Sequence, residues 1–73
     1  MKKINDERMM RWFQFEHLKD EDMRSTSMLF CGLARSITTT IKPGPERTVA
    51  LRKLLEAKDA AVRAVLEGKE NET

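Results

Sequence analysis

The sequence predicts an all-α protein: a short N-terminal helix followed by an antiparallel two-helix hairpin, assembled as a homo-oligomer. Three observations predict it. Two long segments carry apolar residues at spacings of three and four, the period of a helix with one covered face. The tetrapeptide Lys42-Pro43-Gly44-Pro45 separates them and can turn the chain. Between Ser25 and Ile41 only Arg35 is charged, in a chain whose charged fraction is 36%. At 73 residues the chain makes one domain with a small core. A helix nearly uncharged on every face has little to hide behind in so short a chain, so sister copies are expected to cover it.

The first segment, residues 4 to 17 (INDERMMRWFQFEH), is polar and then aromatic. Asn5 or Asp6 can cap a short helix that ends near Trp12 to Phe15. The second helix, 20 to 41, opens with Asp20 as N-cap, and Glu21 and Asp22 suit the positive end of its dipole. Met23, Ser27, Phe30, Ala34, Ile37 and Ile41 form its main stripe, while Leu29, Cys31 and Leu33 lie off it and make a second apolar face. Gly32 can mark a close approach of another helix. Thr38, Thr39 and Thr40 are poor helix formers, so the helix weakens towards Ile41.

Pro43 disfavours helix at Lys42, Gly44 allows a tight reversal, and Pro45 fits the first helical position. The third helix, 45 to 66, is rich in strong helix formers. Leu51, Leu55, Val62 and Val65 form a seam with Lys58 in its middle, and Leu54, Ala57, Ala61 and Ala64 form a second strip. Arg52–Glu56 and Asp59–Arg63 are spaced to pair. Residues 68 to 73 read as a frayed polar tail. The whole of 1 to 73 is a single hairpin domain. A four-residue turn forces the two long helices antiparallel, and one hairpin covers one stripe on each, leaving the second stripes for subunit contacts.

Composition narrows the function classes. A single cysteine, Cys31, and a single histidine, His17, allow neither an internal disulfide nor a structural zinc site, which leaves self-association as the staple. With 14 basic and 12 acidic residues the net charge is +2, too weak an asymmetry to point to DNA. No signal peptide or membrane span is visible, and a lone free thiol suits a reducing cytosol.

Catalysis is not expected. Cys31 lies inside a hydrophobic helix, where burial would leave its thiol inert, and His17 reads as closing the first segment with a local hydrogen bond. The cluster Arg8, Arg11, Trp12, Phe13, Phe15 admits two readings. An exposed aromatic can stack on a nucleobase while guanidinium groups hold phosphate; alternatively the aromatics cap the hairpin core. Lys58 either snorkels, pairs with Asp59 or Glu16, or faces an anionic ligand. Arg24 with Ser25, Thr26 and Ser27, and Arg47, Thr48 and Arg52 at the start of the third helix, are either anion sites or solvated and capping groups.

The order WFQFEHL (12–18), then a helix, then GPERT (44–48) and LLEAKDAAVRA (54–64) resembles a phage-encoded helical-hairpin family. That family includes the anti-CBASS cyclic-nucleotide sponge and the related hairpin of the Thoeris anti-defence sponge. The match spans about residues 8 to 66, and its two blocks are distinctive together. The resemblance implies a hexamer in the cytoplasm of an infected bacterium that sequesters cyclic dinucleotides, with cyclic trinucleotides at separate sites, and performs no chemistry. It implies a stacking aromatic, Trp12 or Phe13, and a basic group, Arg24, in the dinucleotide pocket, and Lys58 and Arg63 in the trinucleotide site. The alternative is a ligand-free helical adaptor or inhibitor that acts by binding another protein.

Overall fold

A computed structural model describes residues 6–16 and 18–70. Those residues form α1 (Glu7–Met10), a 3-10 turn (Arg11–Phe13), α2 (Glu21–Thr40) and α3 (Pro45–Glu70), with no strand among them. The hydrogen bond expected of His17 lies outside the described residues, as do Asn5 and residues 71–73.

Local chemistry explains each boundary. Asp20 holds an extended backbone and its Oδ1 accepts from the Met23 N–H at 2.9 Å, which caps α2. The threonine run ends it. Thr38, Thr39 and Thr40 turn their hydroxyls back onto the carbonyls of Arg35 and Ser36, a local back-bonding that competes with continuation of the helix. Gly44 then accepts the first helical bond of α3, from Thr48 N at 3.1 Å, and Pro45 opens the helix. No glycine among the described residues has positive φ, so the reversal does not use the conformational freedom expected of Gly44. α3 continues through Gly68 to Glu70, past the expected end at 66, because Lys69 is tied to Asp22 at 3.0 Å and Asp20 at 3.3 Å. The spaced pairs Arg52–Glu56 and Asp59–Arg63 do not appear among the ion pairs of the described residues.

The core is small. Phe13, Cys31, Ala34 and Leu51 are buried, and Met9, Met10, Phe15, Phe30, Ile37, Leu54 and Leu55 pack around them half-covered. Phe13 comes from the 3-10 turn and seals the groove between the two long helices. Full burial of such a ring contributes about 1.5–3 kcal/mol. Two assignments change here. Cys31 follows Ser27 by four and precedes Ala34 by three, so it faces the core and not the second face. Ile41 is 50% exposed, because α2 has already ended and its backbone is extended.

Asp6 does not cap α1; its side chain makes no capping bond there. Its carboxylate accepts instead from Arg47 Nε and Thr48 Oγ1, both at 2.9 Å. Charge-assisted bonds to a guanidinium outweigh capping a helix of four residues. Arg47 also donates to the carbonyls of Thr38 and Ile41. One arginine thus joins the N-terminal segment, the end of α2 and the start of α3.

Candidate functional site

Trp12 and Phe13 are neighbours in the 3-10 turn and point to opposite sides. Phe13 is 0% exposed and Trp12 56%. Phe13 therefore cannot stack on a base from within this fold, and the open aromatic is Trp12. Beside it lies a depression of about 500 Å³ lined by Arg11, Gln14, Leu55, Lys58 and Asp59. That size falls within the ~300–1,000 Å³ of small-molecule sites. The Arg11 guanidinium lies over the indole, 5.1 Å from the ring centroid.

Lys58 resolves its own anomaly. It is buried, and its Nζ donates to the main-chain carbonyl of Trp12. The partner is a backbone oxygen in the middle of the 3-10 turn, which side-chain pairing rules do not reveal. The bond fixes the height of the turn against α3 and so the position of the indole.

The same lysine borders a second, smaller hollow of about 200 Å³, with Leu18, Ser27, Asp59, Val62 and Arg63. Ser27 is fully buried, and its Oγ has no hydrogen-bond partner among the described residues. A buried hydroxyl without a partner carries a desolvation cost, which an incoming polar group can relieve.

The other expected site residues stand elsewhere. Arg8 lines a hollow with Asp6, Met9, Pro45, Thr48, Val49 and Arg52, at the start of α3 and away from Trp12. The anion position expected at Arg47 and Thr48 is filled by the chain's own Asp6 carboxylate. Arg24 and Ser25 are exposed and Thr26 half-buried in the first turns of α2, and none of the three lines the Trp12 or Lys58–Arg63 depressions. The protomer thus sets Lys58 beside Trp12 in one depression and beside Arg63 in another, with Arg8 and Arg24–Thr26 in neither.

Gln14 and Asp59 line the Trp12 depression, and sequence reasoning did not place either there. Their signal was weak: Gln14 stands two residues from Trp12 on an irregular turn, and Asp59 read as a surface charge. Ser27 was legible as an inward position, but its lack of a partner was not. Compared with family models, with curated proteins and with solved structures, the chain matches none.

Proposed function

We propose that this chain binds and sequesters cyclic oligonucleotide messengers, dinucleotides first and trinucleotides second, as a homo-oligomer of hexameric size and without cleaving them. The observation that carries the reading is the half-exposed Trp12 over a depression that also presents Arg11 and Lys58. A flat base can stack on the indole, a phosphate can meet the guanidinium, and Asp59 and Gln14 offer acceptors to an exocyclic amine. Arg24, with Ser25 and Thr26, reaches such a ligand only from a neighbouring copy. A twofold seam supplies two aromatics and two basic groups from one short sequence, matching a ligand with two bases and two phosphates. The Ser27–Lys58–Arg63 hollow is the counterpart for the third-helix site that the sequence resemblance implies. The setting is the cytoplasm of an infected bacterium. No helix among the described residues is long and apolar enough to cross a membrane.

Trp12 is the sole tryptophan, so its emission reports on the site directly. Titration with cyclic dinucleotides and trinucleotides should quench it, with matching heat in calorimetry. Trp12→Ala should weaken binding roughly 10- to 100-fold, since stacking is worth about 1–3 kcal/mol per base. Ligand recovered intact after denaturation is expected of a sponge. If neither ligand class binds the folded protein and a protein partner does, the adaptor reading replaces this one.

A further inference from the structure

Asp59 is the odd group in the Trp12 depression. A messenger with two phosphates is repelled by a carboxylate at the same opening. Among the described residues no cation offsets that charge. Asp59 is exposed, and its carboxylate forms no ion pair or hydrogen bond there. The basic groups around it are turned elsewhere. Lys58 donates to the Trp12 carbonyl, Arg11 lies over the indole, and Arg63, one helical turn on, makes no ion pair with it. Gln14 lines the same depression, and its side-chain amide has no hydrogen-bond partner among the described residues.

The indole cannot choose among bases. It holds a ring by its face, and every base has a face. Choice belongs to the base's edge, read by hydrogen bonds. A carboxylate only accepts, through two oxygens side by side, whereas a carboxamide both accepts and donates. Of the four bases only guanine sets two N–H donors side by side, N1–H and N2–H, with the acceptor O6 next to them. Adenine and cytosine each place a ring-nitrogen acceptor beside the amine. Uracil flanks its single N–H with two carbonyls. All three turn a lone pair towards a carboxylate that has none to spare for it.

We infer that the Trp12 depression selects guanine, Asp59 accepting from N1–H and N2–H and Gln14 donating to O6, so that the messengers this chain takes are guanine-containing cyclic dinucleotides. This accounts for the unpaired carboxylate. Repulsion of phosphate is common to every messenger, but only guanine returns a pair of charge-assisted bonds, and specificity is the difference. The inference rests on the messenger-binding reading and adds to it the base.

Calorimetry and Trp12 emission with three probes test it: cyclic di-GMP, cyclic GMP–AMP and cyclic di-AMP. Affinity should fall in that order, by roughly 10- to 100-fold from the first to the last, the discrimination of one good bidentate contact to a base. Asp59→Asn should keep the helix signal, since the position is exposed. It should close the gap from both sides, binding cyclic di-GMP more weakly and cyclic di-AMP more tightly. Gln14→Ala should weaken cyclic di-GMP by less, roughly 2- to 10-fold, as for one neutral hydrogen bond. Equal affinity of the unmodified chain for the three probes, or a preference for cyclic di-AMP, would overturn the inference and leave sequestration standing. So would a uniform gain for all three in Asp59→Asn, which would make the carboxylate a plain charge penalty. Binding of none of the probes would overturn the inference and the proposed function together.

Discussion

At the turn end of the hairpin an ion pair is sealed from water, and at the open end two stand in it. Arg47 Nε meets Asp6 Oδ2 at 2.9 Å with side chains 8% and 3% exposed. Lys69 meets Asp22 and Asp20 at 3.0 and 3.3 Å, but Lys69 is 38% exposed and its partners 73% and 35%. Distance is nearly the same and energy is not. Burying two charges costs several kcal/mol per ion unless every donor and acceptor finds a partner. The turn end meets that condition: both Asp6 oxygens accept, and Arg47 reaches two further carbonyls. The open end never left water, so its pairs hold little and yield to salt. The sealed pair anchors the segment that carries Phe13 and Trp12, and the open pairs anchor only the last turn of α3.

The largest effect expected from breaking this contrast is Arg47→Ala. It strands a buried carboxylate, and urea unfolding should show a loss of about 3–5 kcal/mol. The Trp12 emission should shift with it, because the N-terminal segment loses its anchor. Asp6→Asn sharpens the comparison, since it keeps an oxygen for Thr48 and removes the charge facing Arg47. Its cost should be smaller, about 1.5–3 kcal/mol, as for hydrogen bonds to charged groups. Lys69→Ala should move the unfolding midpoint least. Salt near 1 M, where the Debye length is ~3 Å, should mimic that change and leave the turn end unaffected.

Proton linkage gives the finest test. The Met23 N–H, with Lys69 beside it, holds the Asp20 carboxyl below its ordinary 3.8. Its contribution is therefore present above the ordinary carboxylate value and is lost as pH falls through the lowered one. Hydrogen bonds from Lys69 to Asp22 and then Asp20 hold the ammonium above its ordinary 10.5. That contribution is present below the ordinary value and is lost as pH rises through the raised one. Amide exchange in the first turn of α2 should quicken at the acid extreme, in the last turn of α3 at the alkaline one, and before exchange at the turn end in both cases. Simultaneous loosening of the two ends would show that they are not independent.

The local signals on the long helices were legible and correct in kind. Asp20, Pro45 and the three- and four-residue spacings act through the nearest turn, so the sequence displays them directly. Cys31 was misplaced because one residue at 100° per step separates a stripe from its neighbour. The end of α3 was misjudged because Lys69 is held by residues 47 and 49 positions earlier, which no local rule sees. In the candidate site, Trp12 and Lys58 were nameable, but the bond between them was not, since it joins a side chain to a backbone oxygen across 46 positions.

The sequence by itself determined that this chain is helical, where its two long helices begin, and that α2 carries more apolar surface than one hairpin can cover. Those properties follow from backbone propensities and from the period of the side chains, which need no knowledge of distant contacts. Only the tertiary structure decided that Phe13 goes inward and Trp12 outward, that Asp6 closes on Arg47 rather than on its own helix, and that Ser27 is buried without a partner among the described residues. Each depends on which groups meet across the hairpin, where the depth of burial sets whether a charge or a ring is held or left in water.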